Sequence, residues 1–229
     1  MARPVAGAVA LPLAELLRST RTIACVGRNY AAHARELGNA VPSELFFFLK
    51  PASALTTPRD PQRVVLPRGV GEVHHEAELA LVIGATARRV RREHAMRHVA
   101  GFATAIDVTG RDLQSKAKKE SLPWTRSKGY DTWCPIGQLT PREAISDAAA
   151  LTVCLSVNGQ ERQRGSTGLM LHSIESIIEA VTAVMTLQPG DLILTGTPAG
   201  VGRFDKGDRL SAWIEGLQGP PLELDVVEE

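Results

Sequence analysis

Short strand-like segments dominate this chain of 229 residues, and helical segments do not alternate with them regularly. Apolar runs and two-residue alternation predict strands at 21–27, 46–51, 75–83, 101–107, 151–160, the start of 191–202, 209–214 and 222–227. Helical spacing predicts helices at 29–38, 91–99, 110–119 and 172–185. A doubly wound parallel sheet needs a helix between successive strands, so this order argues against that fold. The sequence predicts an α+β fold, predominantly β, with curled and mostly antiparallel sheets.

Local signals predict where several of these segments begin and end. Asn29 is a suitable first residue for the helix at 29–38, and Gly38 is suited to closing it. The Asn158-Gly159 dipeptide predicts a tight hairpin between two strands. Proline and charged residues predict loops between residue 51 and residue 68.

The chain contains no internal repeat, low-complexity tract or linker. We therefore expect an N-terminal segment at 1–20 and a single domain at 21–229. Pro12 and Glu15 interrupt the mildly apolar start, which predicts a mature N-terminus and not a signal peptide. No apolar run approaches the roughly 20 residues that a membrane-spanning helix needs.

Composition excludes some classes of partner. A net charge of +1 argues against nucleic acid or a membrane as the main partner. Cys25, Cys134 and Cys154 are widely spaced among apolar neighbours and form no C-x-x-C pair. They are interpreted as small buried hydrophobic residues, which is typical of a protein in the reducing cytoplasm.

Two acidic residues precede the most apolar predicted strand, in the stretch V-H-H-E-A-E-L-A-L-V-I-G at 73–84. Alternate strand residues point the same way, so the carboxylates of Glu76 and Glu78 share one face. Two such carboxylates repel, unless one takes a proton or a cation binds between them. If the pair stood alone, two glutamates that flank a solvated strand edge would be the favoured explanation.

Asp107 adds a third carboxylate at the end of another apolar strand, where an unpaired charge would be costly to bury. A loop-start or helix-capping role is the structural alternative for Asp107. Three carboxylates suit a hard divalent cation such as Mg²⁺. The neighbouring His74 and His75 are not counted as ligands, because imidazole suits softer metals.

His33 and Glu36 are three residues apart, so they share one face of the predicted helix. A histidine oriented by a carboxylate can serve as a general base near neutral pH. This spacing is also common on exposed helices, so the pair alone does not establish catalysis.

Several cations could hold an acidic substrate: Arg28, Lys50, Arg111 and Lys128. The segment T-G-T-P-A-G-V-G at 195–202 offers backbone N–H groups and threonine hydroxyls that suit a carboxylate. It does not match a nucleotide-binding loop, and no G-x-S-x-G motif occurs in the chain.

Six segments, in order along the chain, together resemble the fumarylacetoacetate hydrolase family. They are V-G-R-N-Y-A-A-H-A-R-E, F-F-L-K-P, H-H-E-A-E-L-A-L-V-I-G, G-F-A-T-A-I-D-V-T-G-R-D-L-Q, L-P-W-T-R-S-K-G-Y-D and L-T-G-T-P-A-G-V-G. Each is weak alone, but the ordered set is specific and extends from about residue 21 to the C-terminus. The short length and the L-P-W-T-x-x-K segment are most similar to the branch of small acylpyruvases and oxaloacetate decarboxylases, with bacterial fumarylpyruvate hydrolases close by.

This resemblance implies a homodimer of rolled, mixed β-sandwiches with a few short helices. It implies that Glu76, Glu78 and Asp107 bind Mg²⁺, with Mn²⁺ as the other candidate. His33 and Glu36 match the catalytic dyad, carried on a short helix that acts as a lid. The remaining matched positions are Lys128, counted as catalytic, the substrate-binding residues Arg111, Gln114 and Thr197, and the supporting substrate-binding residues Arg28 and Lys50.

The reaction that the resemblance implies is hydrolysis of the C–C bond in a 3-acylpyruvate, a small anionic 2-oxo acid. The products are pyruvate and a carboxylic acid, formed through a metal-stabilised pyruvate enolate. The same enolate would serve an oxaloacetate decarboxylase or a 2-oxo acid tautomerase, which are the alternatives. A further alternative is a non-catalytic family member that binds a metal or a ligand. The motifs leave the acyl group open.

Overall fold

The computed structural model describes Glu15 and residues 17–229. Most of the predicted N-terminal segment 1–20, and with it the predicted mature start, lies outside the described residues. The strands are β1 Ile23–Val26, β2 Phe47–Lys50, β3 Leu55–Thr56, β4 Arg63–Leu66, β5 Val73–His75, β6 Ala77–Ile83, β7 Val99–Ile106, β8 Thr109–Gly110, β9 Cys134–Pro135, β10 Thr140–Pro141, β11 Thr152–Val157, β12 Gln160–Ser166, β13 Leu192–Leu194, β14 Gly202–Arg203, β15 Arg209–Glu215 and β16 Leu222–Glu228. The α-helices are α1 Ala31–Glu36, α2 Arg111–Lys119, α3 Thr125–Lys128 and α4 Ile174–Val184.

Two larger sheets form the body of the fold. The six-stranded sheet has the order β10-β7-β6-β13-β1-β2, and the five-stranded sheet has the order β12-β11-β15-β16-β4. Most neighbouring strands are antiparallel, whereas β1 pairs with β13 and β16 pairs with β4 in parallel. Two small sheets, β14-β5-β8 and β3-β9, complete the arrangement. The predicted α+β fold, predominantly β with a few short helices, is confirmed.

Burial on both faces explains why the sequence of strand β6 is apolar without alternation. All seven of its residues are buried, because both faces of the six-stranded sheet are covered. Leu79 and Leu81 face the main core between the two large sheets. Ala80 and Val82 face a second apolar cluster on the opposite side. Burial on both faces holds this strand rigidly, so the residues at its ends are also held in fixed positions.

The hairpin signal and the cysteine interpretation are confirmed. Asn158 and Gly159 have φ angles of 52° and 78° and connect β11 to β12, as a type I′ turn requires. Cys25, Cys134 and Cys154 are free and buried. No helix in the described part of the chain is both long enough and apolar enough to cross a bilayer.

Two local predictions are wrong, and a third is fulfilled by a different type of helix. The expected loops between 51 and 68 contain β3 and β4, the latter an edge strand paired in parallel with β16. The expected helix at 91–99 is a 3-10 helix over Arg92–His98, after which Val99 begins β7. Pairing of Val99 with Ile83 of β6 begins the strand and ends the helical turn there.

Asn29 is not the N-cap of α1, which is Tyr30 without a side-chain cap hydrogen bond. The Asn29 amide instead donates to the Thr195 carbonyl over 2.8 Å and accepts the His172 N–H over 2.8 Å. These bonds attach the start of α1 to the end of β13, so tertiary contacts have replaced the local capping role.

Candidate active site

Three carboxylates converge at one end of the β6–β7 pair. Glu76 lies in the break between β5 and β6, Glu78 lies in β6, and Asp107 directly follows β7. Because β6 and β7 are antiparallel, Asp107 lies opposite Glu76, and its N–H donates to the Glu76 carbonyl over 2.8 Å. One oxygen of each carboxylate lies within 4.8 Å of the others, and all three side chains are buried. We call these three residues the carboxylate cluster.

Three cations contact two members of this cluster. Lys50, at the end of β2, donates to Asp107 over 2.7 Å. Lys128, at the end of α3, donates to Glu76 over 2.8 Å and to Asp107 over 2.6 Å. Arg111, at the start of α2, donates to Glu76 over 2.5 Å. We call Lys50, Arg111 and Lys128 the cation set.

Glu78 has a different environment from its two neighbours. It accepts a backbone N–H, and no cation of the described residues lies within ion-pair distance of it. Burial, followed by the nearby Asp107 and Glu76, raises the pKa of Glu78 well above its usual range. Burial acts the same way on Glu76, but Lys128 and Arg111 outweigh it and hold the pKa of Glu76 well below its usual range.

A hard divalent cation fits this donor set. Mg²⁺ and Mn²⁺ prefer carboxylate oxygens, and here three converge in a buried position. A cation bound among them would remove the like-charge repulsion that raises the pKa of Glu78. The imidazoles of His74 and His75 bond elsewhere, so the expected all-carboxylate ligand set agrees with the geometry.

His33 faces the cluster from α1, and Glu36 lies one turn further along the same helix. His33 is 5% exposed and lines the same cavity as the carboxylates. Its Nδ1 lies 3.6 Å from Glu36 Oε2 and has no hydrogen-bond partner among the described residues. The Glu36 carboxylate accepts the Gly200 N–H over 3.0 and 3.1 Å. The dyad is therefore assembled but loose, as catalytic hydrogen bonds often are before substrate binds.

The protonation state of His33 suits a base. Burial lowers the pKa of His33 below its usual 6.5, although Glu76 and Glu36 both favour the protonated ring. The ring is consequently neutral at pH 7 and has a lone pair available for a proton.

Thr197 lies at the cavity wall and is fixed by a residue that sequence reasoning missed. The buried Gln163 of β12 donates to Thr197 Oγ1 over 2.8 Å and accepts the Ala77 N–H over 3.0 Å. His75 Nδ1 lies 3.0 Å from the same amide oxygen. The Thr197 hydroxyl in turn donates to the Ala77 carbonyl over 2.7 Å. Gln163 thereby binds the glycine-rich loop to β6.

Gly196 in this loop also has a positional requirement. Its N–H donates to Glu78 over 2.6 Å, and its φ is +98°. A Cβ at this position would lie 2.7 Å from the Asn29 Cβ. Glycine therefore allows the loop backbone to reach the carboxylate cluster.

His74, which was not predicted as a site residue, orients Arg111. Arg111 Nε donates to His74 Nδ1 over 3.2 Å, so the proton of the neutral ring lies on Nε2 and is donated to Glu72 over 2.6 Å. Gln114 accepts from the other side of the same guanidinium over 2.7 Å. The guanidinium is thus held from two sides while it faces Glu76.

The cavity brings together most of the predicted site residues. Its predicted lining residues are Arg28, His33, Glu76, Glu78, Asp107, Arg111, Gln114, Lys128 and Thr197. Lys50 supports this lining from behind through Asp107, whereas Glu36 lies outside the lining and accepts the Gly200 N–H. Lys118, Phe48 and Trp124 also line the cavity and were not predicted.

A mostly antiparallel β-fold here carries three buried carboxylates that could hold a metal ion. The family described as fumarylacetoacetate (FAA) hydrolase, C-terminal, matches residues 22–222 of this chain. The chain belongs to this family, as its ordered motifs predict.

Named relatives cover almost the whole chain. The mitochondrial oxaloacetate decarboxylase of Dictyostelium discoideum is 46% identical over 207 residues, covering 90% of this chain and 94% of that protein. The human mitochondrial oxaloacetate tautomerase FAHD1 is 43% identical over 221 residues, covering 96% and 99%. A crystal structure of Pseudomonas aeruginosa fumarylpyruvate hydrolase with Mn²⁺ and pyruvate has a TM-score of 0.86 at 37% identity, covering 92% and 91%.

Proposed function

We propose that this protein is a divalent-metal-dependent enzyme that moves a proton at carbon 3 of a dianionic 2-oxo acid, with oxaloacetate as the principal substrate. The reaction interconverts the keto and enol forms of the substrate. The charge balance of the site is the single observation that carries this proposal.

Three carboxylates of the cluster face the three cations of the cation set, so the charges buried at the base of the cavity are formally balanced, apart from Arg28 and Lys118 nearer its mouth. A divalent cation would leave two positive charges in excess in a region of low dielectric. A dianionic ligand restores the balance, whereas a neutral ligand does not. The site therefore selects small molecules with two negative charges.

The carboxylate cluster would hold the metal, which as a Lewis acid supplies stabilisation of the negative charge that develops on the 2-oxo oxygen. Lys128 and Arg111 keep Glu76 ionised, and the hydrogen bonds from Lys50 and Lys128 fix the position of the Asp107 carboxylate. Arg111, held by His74 and Gln114, presents a fixed guanidinium to the substrate carboxylate. Thr197 of the glycine-rich loop also lines the cavity.

His33 carries the proton. Its neutral ring lies at the cavity wall and can take a proton from carbon 3 of the substrate. Glu36 stabilises the imidazolium that forms, and the proton then returns to carbon 3 or to the enol oxygen. Both directions need one base and no attacking water.

The names of the relatives support oxaloacetate over an acylpyruvate as the principal substrate. Relatives named oxaloacetate decarboxylase and oxaloacetate tautomerase share 46% and 43% of their residues with this chain. This ranking reverses the one based on sequence motifs, which places acylpyruvate hydrolysis first.

Hydrolysis of 3-acylpyruvates is the second candidate. The assembled His33–Glu36 pair could activate a water as readily as a substrate carbon. The fumarylpyruvate hydrolase structure with Mn²⁺ and pyruvate supports it through similarity of fold and sequence. Mg²⁺ as the physiological metal, a homodimeric assembly without nucleic-acid or membrane partners, and a cytoplasmic location remain predictions.

Steady-state turnover of oxaloacetate, acetylpyruvate and fumarylpyruvate with Mg²⁺, Mn²⁺ or EDTA tests the proposal. Metal-dependent enol–keto conversion of oxaloacetate that exceeds cleavage of both acylpyruvates is the expected result. Faster cleavage of an acylpyruvate would replace the proposal with the hydrolase. Thermal stabilisation by Mg²⁺ plus oxalate, with no turnover of any substrate, would indicate a non-catalytic binding protein.

A further inference from the structure

Two cations at the mouth of the cavity have no role in the chemistry described above. Arg28 follows β1 and Lys118 lies on α2, and both line the cavity. Lys118 is four residues beyond Gln114 and seven beyond Arg111, so these three side chains share one face of α2. Arg28 is half-buried and Lys118 is exposed, as expected for groups at an entrance.

Aromatic rings hold both cations in place. Arg28 lies over the Phe46 ring at 5.6 Å, and Lys118 lies over the Trp124 ring at 5.6 Å. The Phe46 and Trp124 rings contact each other edge to face at 5.8 Å. This shared aromatic base keeps the two positive groups on the same side of the cavity.

Neither cation is neutralised by a carboxylate. Among the residues that the structure describes, Arg28 and Lys118 take part in no ion pair, and Arg28 has only a long hydrogen bond of 3.4 Å to the Ala40 carbonyl. Burial, Arg111 and Arg28 together lower the pKa of Lys118. When an anion binds between like charges at the entrance of a cavity, it reduces the repulsion between them.

We infer that Arg28 and Lys118 form a subsite for the second carboxylate of a dicarboxylic 2-oxo acid. The inference rests on the proposed function, which places the 2-oxo acid head of the substrate at the carboxylate cluster. The distal carboxylate then extends toward the entrance, along the face of α2 that carries Arg111, Gln114 and Lys118. This subsite selects dicarboxylates such as oxaloacetate over monocarboxylates with the same head.

The test compares oxaloacetate with 2-oxobutyrate, which has the same head and a methyl group in place of the distal carboxylate. In the Mg²⁺-loaded protein, Lys118→Met should raise the KM for oxaloacetate about 10- to 100-fold with little change in kcat. The inhibition constant of 2-oxobutyrate should change less than about threefold. Lys118→Arg should restore the oxaloacetate KM, and Lys119→Met, a neighbouring charge outside the cavity lining, should match the parent protein.

Arg28→Gln provides a second variant and should show the same selective effect. An equal rise of the oxaloacetate KM and the 2-oxobutyrate inhibition constant would overturn the subsite, as would an unchanged KM in both variants. If the parent protein turns over no 2-oxo acid, the proposed function fails. In that case thermal melting with Mg²⁺ tests the subsite. The Lys118→Met protein should lose stabilisation by oxaloacetate and keep stabilisation by 2-oxobutyrate. Any other pattern refutes the subsite.

Discussion

The carboxylate cluster and the His33–Glu36 dyad face each other across one cavity, yet they are built differently. The cluster lies at the ends of strands that are buried on both faces, and the cation set holds two of its members with hydrogen bonds of 2.5 to 2.8 Å. The dyad lies on the six-residue helix α1, and its two members are 3.6 Å apart. One half of the site is rigid and the other is loosely attached.

This difference separates two tasks. Charge stabilisation of an enolate needs ligands that do not reorganise, which the strand ends provide. Proton transfer needs a base that can approach a substrate and retreat, which a short helix anchored at Asn29 and at Gly200 can provide. We therefore expect variants of the rigid half to remove every activity and variants of the dyad to remove only reactions that move a proton or activate water.

Glu78→Gln is the most severe test of the rigid half. The amide keeps the shape of the side chain but removes one of three charged ligands, so metal binding and all turnover of 2-oxo acids should be abolished. Metal content after dialysis and turnover of oxaloacetate measure the effect. Glu93→Gln changes an exposed glutamate outside the cavity and serves as the control. Magnesium-dependent turnover retained in the Glu78 variant would refute the ligand assignment.

His33→Ala should separate the two halves. If His33 is the base, enol–keto conversion and acylpyruvate hydrolysis should fall about 10²- to 10⁴-fold. Decarboxylation of oxaloacetate should change far less, because CO₂ departs without a base or an attacking water. His94→Ala, an exposed histidine outside the cavity, is the matched control. Equal loss of decarboxylation and proton transfer would show that the two halves act as one unit.

The rigid half could be predicted from sequence because its signals are local. Period-two alternation places Glu76 and Glu78 on one face, and a charge at the end of an apolar strand identifies Asp107. The strand is broken at Glu76, which the pattern does not reveal, yet the carboxylates still converge because β6 and β7 are adjacent in the sheet. Spacing and charge also identified the His33–Glu36 pair and the cations as candidates, and the family resemblance supplied their roles.

The missed residues have no local signal. Gln163 is buried in β12 between exposed charged neighbours, and its partners at Ala77 and Thr197 are 86 and 34 residues away. Lys118 is one of several lysines in α2, and only its contact with Trp124 and its place in the cavity distinguish it. Such roles depend on tertiary pairing, which spacing along a single sequence does not encode.

Gly200→Ala tests the outer attachment of the dyad. A Cβ at this position would lie 2.0 Å from the Arg162 carbonyl oxygen, so the loop must shift and the N–H bonds to Glu36 should be lost. Displacement of this kind should reduce proton transfer by up to about 10²-fold. Gly207→Ala has a similar φ of +89° and open space around it, so it shares only the backbone cost of about 1–2 kcal/mol. Denaturant melts measure the backbone cost, and kcat/KM measures the effect on proton transfer. Equal kcat/KM values in both variants would show that the bond between Gly200 and Glu36 does not position the dyad.

The smallest expected effect is a difference between two pH profiles. Since burial lowers the pKa of His33 below 6.5, its active neutral form persists at pH 7 and is lost only as pH falls through that lowered value. The kcat/KM for enol–keto conversion should be constant near and above pH 7, and should fall by up to tenfold per pH unit only as pH drops through this lowered pKa. Decarboxylation, measured on the same protein with saturating Mg²⁺, needs no base and should lack this acid limb. An identical limb in both reactions would assign it to protonation of the carboxylate cluster and would place the pH sensitivity in the rigid half.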